Sequence, residues 1–175
     1  MLRRPKGREW KVIRSALKAF GSIDFLNDYE LMVLEKNGKR EVYALSKDLL
    51  GFLNIDGLVL AGIKVGEVGR RFRFTLEGSF YLVKRDRKRV TVNERGEMLF
   101  LYGRDVFARS VVDVSEDVRE NDIVFVCNVR GDRLGLGRAR FDADRIREVE
   151  GDRVVVDNLI DRGEYLRKKK TYDAV

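Results

Sequence analysis

Beyond residue 97 the chain breaks into short β-type runs, near 98–102, 111–114, 122–130, 133–141 and 152–157, with glycine or charged turns between them. A small barrel of mostly neighbouring strands is the architecture that closes such a set without leaving long open edges. Leu134-Gly135-Leu136-Gly137 places two glycines inside one run. Glycine within a strand marks a kink or a close approach of another backbone. The Gly-x-Gly is not a dinucleotide-binding turn, because the third glycine is missing and a strand, not a helix, follows. Arg130-Gly131-Asp132 turns one hairpin.

The first half has a different grammar. Trp10, Ile13, Leu17 and Phe20 recur at helical spacing and predict an amphipathic helix over about 7–20, ended by Gly21-Ser22. Residues 30–35 and 40–45 read as strands, and Asn37-Gly38 between them is a two-residue hairpin turn, since both positions accept positive φ. Ser46 is placed to cap a short helix, 58–68 reads as a third strand broken by Gly62 and Gly66, and 76–83 as a short helix. In Arg71-Phe72-Arg73-Phe74 the arginines share one strand face and the rings the other, which we read as core. Val90-Thr91-Val92 reads as a short strand, and the polar stretch Asn93 to Glu97 is the expected boundary between two domains, 1–93 and 94–175.

Composition removes several chemistries. There is no histidine, which excludes Ser-His-Asp and Cys-His catalysis and the usual zinc sites. The single cysteine, Cys127, lies in an apolar β run and is expected buried; alone it forms no internal disulfide, as suits a reducing, cytoplasmic setting. No apolar run is long enough to span a bilayer. Asp142, Asp144, Glu148, Glu150 and Asp152 lack the spacing of a calcium loop and alternate with arginines, so a solvated loop with local ion pairs is expected and no metal. Absent glutamine, one proline and abundant Arg, Lys and Glu resemble a hyperthermophile's composition.

Formal net charge is +7, which points to an anionic partner. Its distribution is uneven. Residues 1–93 carry 20 Lys and Arg against 11 Asp and Glu, whereas 94–175 carry 16 against 18. The run Lys84, Arg85, Arg87, Lys88 and Arg89 reads either as a phosphate-contacting patch or as an ion-pair network.

Particular residues narrow the fold further. They are Gly62, Gly66 and Arg71-Phe72-Arg73, then Phe100-Leu101-Tyr102-Gly103 and Val106, then Leu134 to Gly137, and finally Asp161, Gly163-Glu164-Tyr165 and Arg167. This combination, in this order, resembles the nuclear-import-protein-seven family of ribosome biogenesis factors, including its archaeal members. The resemblance implies an α+β chain: an N-terminal antiparallel sheet flanked by helices, then a C-terminal PUA-type barrel. It also implies a non-enzymatic role in maturing the large ribosomal subunit, without a cofactor, in contact with precursor ribosomal RNA and other assembly proteins. In archaeal relatives RNA binding is attributed to basic residues on the PUA face. Arg153 matches one such position, whereas Val154, Asp157 and Ile160 stand where some relatives are basic.

Arginine pairs with phosphate through a planar fork and stacks on unpaired bases. The candidate RNA-binding residues are therefore Arg104 and Arg109, flanking a short helix expected after Gly103; Arg138 and Arg140, on one strand face; and Arg153, Arg162, Arg167 and Lys168 in the closing elements. The basic run at 84–89 is the secondary patch. A second reading is a protein adaptor toward RNA-processing or RNA-degrading machinery, the exosome included, with RNA contact secondary. A third, an RNA-modifying enzyme with a PUA appendage, finds no catalytic motif in residues 1–93.

Overall fold

The computed structural model describes residues 2–53, 61–82 and 87–167. The chain divides into two compact units, Met1–Arg85 and Asp86–Val175.

The first unit is an antiparallel five-stranded meander: β1 (Leu2–Arg3), β2 (Tyr29–Lys36), β3 (Lys39–Ser46), β4 (Ile63–Val68) and β5 (Phe72–Phe74), in that order across the sheet. Asn37 and Gly38 turn the β2–β3 hairpin with φ of 51° and 72°. Helix α1 (Gly7–Ala19) lays Ile13 and Leu17 into the core, and Phe20, just past its end, meets Phe74 edge to face at 5.2 Å. Phe72 is buried while Arg71 and Arg73 are exposed, so the aromatic face is core. Trp10 is only half-buried, with Arg14 over its ring. The buried residue beside it is Glu9, whose carboxylate accepts from the Lys6 N–H at 2.7 Å and from the Arg3 guanidinium at 2.8 and 2.9 Å. Arg3 and this hydrogen bonding hold Glu9 down to a pKa of about 2. The short helix α2 (Phe25–Asp28) leads into β2, a 3-10 turn (Lys47–Phe52) follows β3, and α3 (Leu76–Leu82) packs on β4.

The second unit is a six-stranded sheet. In chain order its elements are β6 (Arg89–Val92), α4 (Glu94–Leu101), β7 (Val106–Phe107), β8 (Val111–Val114), β9 (Ile123–Asn128), β10 (Arg133–Ala139), α5 (Ala143–Glu148), β11 (Val154–Asp161) and α6 (Glu164–Arg167). The spatial order is β7-β11-β10-β9-β6-β8, antiparallel except for β6 beside β9. The two edge strands, β7 and β8, are consecutive in the chain and joined by the 3-10 turn Ala108–Ser110, so the sheet curls into a nearly closed barrel. Valines 90, 92, 124, 126, 155 and 156, with Phe100 and Ile146, fill it. The glycines of β10 permit the curl. A Cβ at 137 would meet a Val156 methyl and stand 2.8 Å from the Asp157 carbonyl, and one at 135 would stand 2.7 Å from the Asp161 Cα.

Several expectations change. The run 98–102 is the end of helix α4, not a strand: Asn93 caps it through Oδ1, accepting from the Gly96 N–H at 2.9 Å, and Gly96 and Phe100, one turn apart, face the core. After Gly103 comes strand β7, not a helix. The acidic stretch contains α5, which buries Ala143 and Ile146, although its Arg145–Glu148 and Arg147–Asp144 pairs are the local ion pairs expected. The third strand starts at Ile63; residues 54–60 lie outside those described. The expected boundary at 93 falls inside the second unit, because β6 is hydrogen-bonded between β9 and β8. Residues 86–175 then carry 19 Lys and Arg against 19 Asp and Glu, formally neutral. Cys127 is buried in β9, and burial pushes its thiol pKa up.

Candidate nucleic-acid interface

The two most diagnostic sequence stretches meet at one point, where α4 ends. Gly103, with φ of +82°, reverses the chain there. Asn158 of β11 donates through its side chain to the Phe100 carbonyl at 2.9 Å, and its own N–H goes to Asp105 Oδ1 at 2.8 Å. Arg167 forks onto the buried Asp161 carboxylate, Nη1 to Oδ1 at 2.9 Å and Nη2 to Oδ2 at 2.8 Å, and also donates to the Leu101 carbonyl. Gly163 has no side chain because the Leu101 carbonyl occupies that space. Phe-Leu-Tyr-Gly and Asp-x-Gly-Glu-Tyr-Leu-Arg are thus two halves of one clamp that closes α6 and β11 onto α4. Asp161 also raises the Arg167 pKa, fixing the cation. Arg167, a candidate RNA contact from the sequence, is held in this clamp by Asp161.

The remaining cations are sorted by strand geometry. Arg138 on β10 lies opposite Asp157 on β11, so both project from the outer sheet face. Asp157, however, pairs with the diagonal neighbour Arg140 at 2.5 Å. Arg138 is exposed, with no carboxylate in ion-pair range among the described residues. On the adjoining β11–β7 pair, Phe107 lies opposite Val154. Arg109 sits over the Phe107 ring at 5.9 Å and pairs with Asp152 at 2.6 Å. Arg153 is exposed and stacks over Phe141 at 5.0 Å, again with no carboxylate partner among the described residues. Arg104, in the turn entering β7, is exposed and equally open. The β7–β11–β10 edge and its turns therefore carry three open arginines, Arg104, Arg138 and Arg153, and two held by aspartates, Arg109 and Arg140.

Other candidates fall elsewhere. Arg162 leaves β11 and donates to the Arg133 carbonyl at 3.5 Å. Lys168, Lys84 and Arg85 lie outside the described residues. Lys88 is not an open phosphate contact: its ammonium pairs with Asp122 at 2.5 Å and also donates to the Asp117 carbonyl. Arg87 is exposed and Arg89 is half-buried on β6. Residue reading missed Phe107 and Phe141 as arginine platforms and Asp152 and Asp157 as counter-ions. The first signal was available, since Phe107 precedes Arg109 by two positions; the counter-ions depend on strand register.

The NIP7/UPF0113 pre-PUA domain matches residues 2–76 and the UPF0113 PUA domain residues 88–170. A UPF0113 protein of Archaeoglobus fulgidus is 56% identical over 97% of this chain and 97% of its own length. The chain belongs to the NIP7/UPF0113 family. Within that family the 60S ribosome subunit biogenesis protein NIP7 of Saccharomyces cerevisiae is 29% identical over 65% of this chain and 64% of its own length. The crystal structure of a hypothetical protein from Pyrococcus horikoshii superposes with a TM-score of 0.65 at 20% identity, covering 97% of this chain and 96% of that one, which shows the shared fold. The match of the PUA domain begins at 88 and so includes β6, in agreement with the sheet order.

Proposed function

We propose that this NIP7/UPF0113 protein is a non-catalytic RNA-binding factor in assembly of the large ribosomal subunit, and that it holds single-stranded precursor ribosomal RNA on the β7–β11–β10 edge of its PUA domain. The observation that carries this reading is the set of open arginines there, Arg104, Arg138 and Arg153, the last already stacked on a ring. A guanidinium stacked on one side keeps its other face for a base and its N–H edge for phosphate. Low domain charge is compatible with this, because local field follows arrangement, not total. The relatives named for 60S subunit biogenesis support the process. Fluorescence titration of a single-stranded RNA oligomer tests the reading: three open phosphate contacts give a slope of log affinity against log salt of about −2. Replacing Arg104, Arg138 and Arg153 together by Gln abolishes most of the slope. A flat salt response in the wild type overturns the reading.

A second reading, an adaptor to RNA-processing or RNA-degrading machinery, is favoured by one observation. Met98, Tyr102, Tyr165 and Leu166 are exposed apolar side chains at the clamp end of the domain, Leu166 at 91%.

A further inference from the structure

The paired arginines at the interface differ from the open ones in a way that bears on the ligand. Asp157 engages Arg140 through Oδ1 at 2.5 and 2.6 Å, and has no other side-chain partner among the described residues. Asp152 engages Arg109 at 2.6 Å and is itself 69% exposed. Each carboxylate thus occupies the fork that a phosphate oxygen would take, with the same charge sign and the same acceptor geometry. Both pairs are at the surface, so neither is tight enough to be permanent. Beside them stand the open Arg138, directly across from Asp157, and Arg153, next to Asp152 in sequence.

We infer that Asp157 and Asp152 are intramolecular stand-ins for phosphate that make this face selective for a strand bearing consecutive phosphates over isolated phosphate groups. The inference rests on the proposed RNA interface and assigns its specificity. A single phosphate arriving from solution competes with a carboxylate tethered beside the arginine, whose effective concentration is in the millimolar range or above. A strand already held by Arg138 and Arg153 presents its next phosphates at comparable effective concentration, and these exchange for Asp157 on Arg140 and for Asp152 on Arg109. The displaced carboxylates turn to water, readily for the exposed Asp152 and less so for the half-buried Asp157. Open arginines capture the strand, and paired ones engage only once it is held.

The test uses the full chain and one single-stranded RNA oligomer, with Asp157→Asn and Asp152→Asn as site variants and Asp113→Asn as control. Asp113 lies exposed on β8, opposite Thr91 of β6 and on none of the three strands β7, β11 and β10, and its change adds the same charge. In the wild type a phosphate that replaces one of these carboxylates leaves the local net charge unchanged and adds little slope; removing the carboxylate leaves that phosphate neutralised, so each site variant binds about fivefold tighter at 0.1 M salt, with a slope steeper by about 0.7. The control changes the slope not at all. In the wild type, adenosine 5′-monophosphate at the same total phosphate concentration leaves the RNA bound; in Asp157→Asn it competes measurably better. Asp157→Ser serves as a second variant, and thermal unfolding checks that each is folded. If the wild type binds RNA with a salt slope but Asp157→Asn and Asp152→Asn behave as Asp113→Asn does, the stand-in role is overturned while the interface survives. If neither the wild type nor any variant shows salt-dependent binding, the interface itself falls. Displacement of wild-type-bound RNA by the mononucleotide also overturns the selectivity.

Discussion

Asp161 and Arg167 show that a basic residue type does not by itself state its task. A basic residue in a motif beside a basic tail reads as a phosphate contact, yet this one neutralises a carboxylate that is only 2% exposed. Removing the arginine strands that charge inside the barrel. Arg167→Ala is expected to cost about 2–3 kcal/mol by urea denaturation, below the range for fully buried pairs because the guanidinium is partly solvated. Its effect on the salt slope of RNA binding should be small, which separates clamp from interface. Glu9 supplies the pH signature. Its folded pKa of about 2 lies below its ordinary 4.5, so its stabilisation is complete above about pH 4.5 and is lost as pH falls toward 2. The wild-type melting temperature should therefore drop more steeply over that window than that of Glu9→Gln, as circular dichroism melts would show.

At the scale of elements, helix α4 was the hardest to read. Met98 to Leu101 is four consecutive apolar residues, a pattern that short strands and buried helix segments share. The deciding signal was upstream: Asn93, then Glu94 and Glu97 in the first turn, at the end where acidic side chains favour the helix. Asn93→Ala should destabilise the second unit by about 1 kcal/mol, measured by chemical denaturation, since the Gly96 N–H loses its acceptor. By contrast α1 and the Asn37-Gly38 hairpin were legible, because helical periodicity and positive-φ turns are local properties. Strand β6 is legible as a strand but its sheet is not: its partners β8 and β9 lie far downstream, and nothing in Val90-Thr91-Val92 names them.

For the whole molecule, that assignment decides what can fold alone. A fragment spanning 94–175 lacks the strand between β9 and β8 and should give a poorly dispersed amide spectrum. One spanning 86–175 keeps the six-strand sheet and should give a dispersed spectrum with a cooperative melt. Equal dispersion from both would refute the central place of β6. Family, fold class and the exclusion of histidine-based catalysis are properties of residue identity and spacing, so the sequence by itself determined them. Which arginines remain open to a ligand is a property of register and diagonal pairing between strands remote in the chain. Arg138 faces Asp157 across two strands, but the carboxylate turns to Arg140. Only the folded sheet brings these charges within a few ångströms, where Coulomb interaction selects partners, and so only the tertiary structure decided it.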